Sequence, residues 1–178
     1  MAVPTFVDLQ GFIIGGNFIV KEVAVLRKGN VLSHYIFKSP VPWRLLTKSE
    51  KYQTSWVFQR HHGLRWDDGN VPYHMAKRLI TSAVRNATEE EDASFRVYVK
   101  GLEKRQWLAD LIYDDVRCGL AIETLDLDYE DVTSLTTLDV ANTMRCNNHV
   151  QHCALQNVFK LYHWWLNHHH EGSINPYL

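Results

Sequence analysis

Twelve residues near the end of the chain hold most of its candidate chemistry: Cys146-Asn-Asn-His149-Val-Gln-His152-Cys153-Ala-Leu-Gln-Asn157. Thiolates and imidazoles are the donors that zinc prefers, and Cys-x2-His-x3-Cys supplies three of the four ligands of a closed tetrahedral site. His152 and Asn157 add an imidazole and an amide whose meaning depends on what other elements bring beside them. An apolar, aromatic run follows from Val158 to Leu166, so the stretch is expected to open a long final helix that ends near His168. In a helix, rotation of roughly 100° per residue sets Cys146, His149 and Cys153 within about 60° of one another. One helix face would then present three ligands.

The elements that must position this face are legible in outline. Thr5–Ile14 and Phe18–Arg27 are rich in β-branched and aromatic residues and flank Gly15-Gly16, which predicts two strands and a turn. Gly29-Asn30 turns the chain into a third strand, Val31–Phe37, and Pro40 and Pro42 end it. Residues 43–92 read as helix and loop, with a helix from Val71-Pro72-Tyr73 to Asn86. A fourth strand is expected over Ala93–Lys100, a helix over Leu102–Val116, a fifth strand over Ala121–Leu127, and a short helix over Ser134–Ala141 with Ser134 as its N-cap. The order β-β-β-α-β-α-β-α-α predicts a mixed sheet with helices on its faces.

Length and composition narrow the class. A chain of 178 residues with 46% hydrophobic content fits one domain with a sizeable core. We assign residues 1–171 to that domain and 172–178 to a tail. No apolar run approaches the roughly 20 residues that span a bilayer, and no leader-like segment opens the chain. Three cysteines, an odd number, do not suggest a disulfide framework. Reduced thiols, and hence a cytoplasmic or nuclear protein, are expected. The net charge of −1 hides an asymmetry: residues 1–88 carry 12 Lys and Arg against 5 Asp and Glu, and residues 89–178 carry 7 against 15. Near-neutral balance argues against strong nonspecific binding to DNA but leaves room for a local basic groove.

Four short motifs resemble those of the DEDDh exonucleases, a branch of the ribonuclease H-like fold. Asp8-Leu9-Gln10 stands where that family carries Asp-x-Glu. Val20-Lys21-Glu22-Val23-Ala24 matches its second strand. Glu103-Lys104-Arg105-Gln106-Trp107-Leu108 fits its middle motif with Lys104 in place of an Asp. His152-Cys153-Ala154-Leu155-Gln156-Asn157 fits its last motif with Asn for Asp. The resemblance implies a ribonuclease H-like α/β fold, with three antiparallel strands leading into βαβ. It also implies a site degenerate at Asp8, Gln10, Lys104, His152 and Asn157. Such enzymes hold two Mg2+ ions between carboxylates, and hard cations need anionic oxygens. Only Asp8 remains, so two-metal catalysis is expected to be lost while the fold survives.

The late stretch is also similar to the Maelstrom domain of germline piRNA factors, an exonuclease-like fold whose carboxylate site has become a Glu-Cys-His-Cys zinc site. Glu22-Val23-Ala24, Gly29 and His34-Tyr35-Ile36-Phe37-Lys38-Ser39-Pro40 loosely follow its early motif, and Cys146, His149 and Cys153-Ala154-Leu155 its late one. The resemblance implies structural zinc held by Glu22, Cys146, His149 and Cys153. His34 and Cys118 are rival fourth ligands.

The segment from Arg44 to Arg85 interleaves Arg44, Lys48, Lys51, Arg60, Arg65, Lys77 and Arg78 with Trp43, Tyr52, Trp56, Trp66 and Tyr73. Single strands bind such mixtures through phosphate charge and base stacking. Three functions follow as expectations. The first is a degenerate exonuclease-fold domain that binds single-stranded or structured RNA, in small-RNA silencing of the piRNA type. The second is a scaffold whose acidic half recruits a protein partner. The third is a nuclease using non-standard residues near Asp8.

Overall fold

The computed structural model describes residues 3–85, 96–117, 119–129, 132–138, 144–149 and 151–172. Strands β1 (Thr5–Ile14), β2 (Asn17–Arg27) and β3 (Val31–Ile36) form an antiparallel meander. The first turn is made by Gly15 and Gly16, at φ values of 58° and 81°. Strands β4 (Arg96–Val99) and β5 (Ala121–Thr124) add in parallel beyond β1, giving one five-stranded mixed sheet in the order β3-β2-β1-β4-β5.

Helix α1 (Lys48–Val57) starts at a capping box: Thr47 Oγ1 accepts from the Glu50 N–H, and the Thr47 N–H donates to Glu50 Oε1. A π-helical turn, Phe58–His62, extends it until Gly63 closes the end in the left-handed conformation. Then come α2 (Ala76–Arg85), α3 (Leu102–Asp110), the single turns α4 (Asp114–Arg117) and α5 (Leu125–Asp128), and α6 (Ala154–Gly172).

Side chains alternate along β1 and divide the core. Val7 and Leu9 face α2 and α3 in a buried cluster with Val23, Val25, Ile80, Val84 and Leu108. Phe6 faces α6 with Ala24, Leu26, Val158, Leu161 and Trp165. The same parity turns Asp8 and Gln10, both fully or almost fully buried, toward the α6 side.

The ladder slips once. Gln10 pairs with Glu22 but Gly11 pairs with Val20, so Lys21 is the extra residue of a β-bulge. Its ammonium is buried and donates to Ser39 Oγ, to the Trp66 carbonyl at 2.7 Å and to the Asp68 carbonyl, anchoring the loop after α1. Burial lowers its pKa to about 8, against the pull of Asp68 and Asp67. The bulge also presses the two strands together at Gly11, where a Cβ would lie 1.9 Å from the Ile19 carbonyl oxygen. Gly11→Ala is therefore expected to cost about 3 kcal/mol in a denaturant titration, at the upper end for an overpacked site.

Four expectations need correction. The final helix begins at Ala154, not at Cys146. The expected helix over 102–116 breaks after Asp110 and resumes at Asp114. The fifth strand ends at Thr124, where the chain turns into α5. Residues 134–138 form a turn closed by N–H groups of Thr137 and Leu138 on the Ser134 carbonyl, and 139–141 lie outside the described residues. Also outside them lie Asn86 to Phe95, with the start of the expected fourth strand, and Cys118.

Candidate metal centre

Glu22, Cys146, His149 and Cys153 converge. Their potential ligand atoms all lie within 4.8 Å of one another, and this is the cluster of that kind among the described residues. Zinc bonds of about 2.0 to 2.3 Å put the donor atoms of a tetrahedron roughly 3.3 to 3.8 Å apart. Glu22 Oε2 lies 2.9 Å from His149 Nε2 and 3.5 Å from Cys146 Sγ, so small movements reach that geometry. Glu22 and Cys153 are fully buried and His149 nearly so. Two thiols, an imidazole and one carboxylate in a closed pocket match structural zinc better than a hard cation.

The backbone that makes this possible is not helical. Cys146 and His149 sit in a loop, with Asn147 at φ 62° and His152 at φ 35°. These two left-handed residues reverse the chain on either side of His149. Cys153 is the residue before α6, and its carbonyl accepts the first turn's bond from the Asn157 N–H. Its sulfur therefore occupies an N-cap, where the open N–H groups of a helix favour a negative charge. Burial raises its pKa, but hydrogen bonds from His149 and from the Cys146 and Gln156 N–H groups outweigh it, and the thiol ends below its ordinary range. Cys146 moves the other way, held up by burial and by the charges of Glu22 and Cys153.

Each remaining ligand is oriented from behind. Glu22 Oε1 accepts from Gln10 Nε2 at 3.1 Å and from the Ala154 N–H at 2.8 Å, which leaves Oε2 for the centre. Burial would raise the Glu22 pKa, but hydrogen bonds from His149 and His34 bring it down to about 2. His149 Nδ1 lies 2.7 Å from the carbonyl oxygens of His62 and Gln151, so Nδ1–H donates to the backbone and Nε2 points at Glu22. A backbone carbonyl behind the distal nitrogen is the usual support of a metal-ligating histidine. Burial lowers the His149 pKa, yet Cys153 and Glu22 raise it to about 10.

The carbonyl of His62 is itself fixed. The Leu64 N–H donates to His62 Nδ1, so His62 Nε2–H donates to the Gly11 carbonyl at 3.0 Å. Burial drives the His62 pKa down to about 4 and keeps the ring neutral. The place of His62 beside the centre depends on the π-helical turn after α1. His34, the rival ligand on β3, approaches Glu22 Oε2 at 2.8 Å, outside the set of four. A cavity of about 460 Å3 bounded by His34, Leu64, Asp68 and Asn148 adjoins this contact.

Asp8, Lys104 and Asn157 form a second group. The Lys104 ammonium pairs with Asp8 Oδ1, and Asn157 Nδ2 donates to Asp8 Oδ2 at 2.8 Å. Asp8 is fully buried, so its charge is balanced by the lysine rather than by water. Gln10 bridges to the other cluster through Glu22, and its own Oε1 is buried without a hydrogen-bond partner among the described residues. The His152 ring stacks on His61 at 4.4 Å.

The basic residues divide. Arg44, Lys48, Arg60 and Arg65 are exposed and Lys51 half-buried on or beside α1, which packs near Phe12, Leu46 and Trp66. Lys77 and Arg78 stand on α2, against the opposite face of the sheet. Lys51, Arg65 and Lys77 lie over the rings of Trp43, Phe58 and Tyr113, at 6.0, 5.7 and 5.1 Å. Among the described residues no helix is long and apolar enough to cross a membrane. No family model, curated protein or solved structure matches the chain.

Proposed function

We propose that the protein is a catalytically degenerate exonuclease-fold domain of the ribonuclease H-like, Maelstrom-similar type, stabilised by zinc and acting by binding RNA. The observation that carries this reading is a neutralised carboxylate on β1 beside a cluster of potential metal ligands around β2. Asp8 is neutralised by Lys104 and capped by Asn157, while Glu22, one residue past the bulge, gathers Cys146, His149 and Cys153. A lysine ammonium at the one remaining carboxylate competes with any divalent cation there. Support for the fold assignment comes from an antiparallel meander continued by two parallel strands in the order β3-β2-β1-β4-β5. Support for RNA comes from the exposed cations and aromatics around α1.

Zinc would supply no reaction step here. It would tie the loop carrying Cys146 and His149, and the start of α6, to strand β2. The test is incubation of the purified chain with end-labelled single-stranded and hairpin RNA in Mg2+ and in Mn2+. Binding that weakens steeply with salt, without cleavage, is expected. Cleavage abolished by Asp8→Ala would restore an enzyme reading. Absence of binding at low salt would favour a protein-recruiting scaffold.

A further inference from the structure

Resting on that reading, we propose that the outer face of α1 is a stacking platform for unpaired RNA bases, so that the protein selects single strands over duplex. Lys48, Tyr52, Trp56 and Arg60 follow one another at four-residue spacing along α1 and the turn that extends it. Residues so spaced share one face of a helix, at steps of about 6 Å. All four are exposed, Tyr52 at 73% and Trp56 at 52% of their surface. The helix has a buried side for its core contacts, through Thr54, so these rings are not displaced core residues. Two large aromatics held outward, bracketed by cations, are a costly arrangement for a face that meets only water.

Charge decides what the face fits. The single acid of α1, Glu50, is half-buried and committed to the Thr47 N–H in the capping box. None of the ion pairs of the described residues involves Lys48 or Arg60. Lys51 and Arg65, by contrast, are turned onto intramolecular rings. The two outward cations at the ends of an aromatic pair therefore suit a polyanion whose bases are free to stack. A single RNA strand has both properties. A duplex hides its base faces and would engage only the cations.

The test is fluorescence anisotropy with a labelled 12-nucleotide oligouridine and a blunt two-stranded RNA duplex, on the full chain purified without chelator. Tyr52→Ala and Trp56→Ala are expected to weaken oligouridine binding about tenfold each, within the range for loss of one stacked base, with Trp56→Phe recovering most of it. Duplex affinity is expected to change less than about threefold. Lys48→Gln or Arg60→Gln should each lower the slope of log affinity against log salt by about 0.7. Wild-type binding to oligouridine that both alanine variants retain would overturn the platform while leaving RNA binding elsewhere on the domain intact. No wild-type binding to either RNA would overturn both. A wild-type dimer that the alanine variants dissociate, seen by sedimentation, would make the face a contact between copies and overturn the platform too.

Discussion

Stripping zinc with a chelator is expected to lower the melting temperature by about 8 to 16 °C. A ligand held at a thousand times its dissociation constant stabilises by about 4 kcal/mol, and a domain of this size moves about 2 to 4 °C per kcal/mol. Cys146→Ser should reproduce most of that loss and make the protein insensitive to chelator. The reason lies in what the centre connects. Zinc on Glu22, Cys146, His149 and Cys153 would join the loop and the start of α6 to strand β2. Binding must also carry a pH signature. Against burial, Cys153 and Glu22 raise the His149 pKa to about 10, and burial pushes the Cys146 thiol well above its ordinary range. Both protons must leave before those atoms can ligate, whereas Glu22 is ionised above about pH 2. Apparent zinc affinity should therefore rise with pH between about 7 and 9, by about tenfold per proton per unit. Calorimetry in buffers of different ionisation enthalpy counts those protons.

Lys104→Ala is expected to destabilise the domain by about 3 kcal/mol, although the lysine lies near the surface. Its removal leaves the carboxylate of Asp8 fully buried, with Asn157 Nδ2 as the remaining donor given by the hydrogen bonds of the described residues. Breaking a buried pair from one side costs about 3 to 5 kcal/mol, because the surviving charge has lost its partner. Replacing both, as Asp8→Asn with Lys104→Met, should return stability to within about 1 kcal/mol of the parent. A double variant as unstable as Lys104→Ala would contradict the charge-balance account of this pair. Denaturant titration of the parent, Asp8→Asn, Lys104→Met and the double variant closes the cycle.

Much of the sheet was legible because its signals are local. The meander announces itself through β-branched runs divided by Gly15-Gly16 and Gly29-Asn30, and β1 keeps its expected ends, Thr5 and Ile14. The parallel addition of β4 and β5, and hence the strand order, is a long-range outcome that no local pattern encodes. Helix α1 was within reach: Thr47 and Glu50 are a capping-box pair in plain sequence, yet residues 43–92 were read only as helix and loop.

Cys146, His149 and Cys153 were nameable by type and spacing and Glu22 only through the resemblance, and the three do not share a helix face. Cys146, His149 and Cys153 recur at near-helical intervals, so periodicity points to a helix face. The left-handed residues Asn147 and His152 instead fold the segment into a loop, and the ligand atoms meet across it. Asn147-Asn148 is a turn-forming pair that argued for this. The support from His62 was invisible, since it depends on the turn after α1 and on the Gly11 bulge, each read from a different part of the chain.

X-ray absorption at the zinc edge, on protein purified untagged and without chelator, examines the centre directly. One zinc per chain with two sulfur neighbours near 2.3 Å and two nitrogen or oxygen neighbours near 2.0 Å is the expected result. That shell should lose one sulfur, or the metal altogether, in Cys146→Ser. A metal-free protein, or a shell made only of nitrogen and oxygen, would contradict a centre built from Glu22, Cys146, His149 and Cys153.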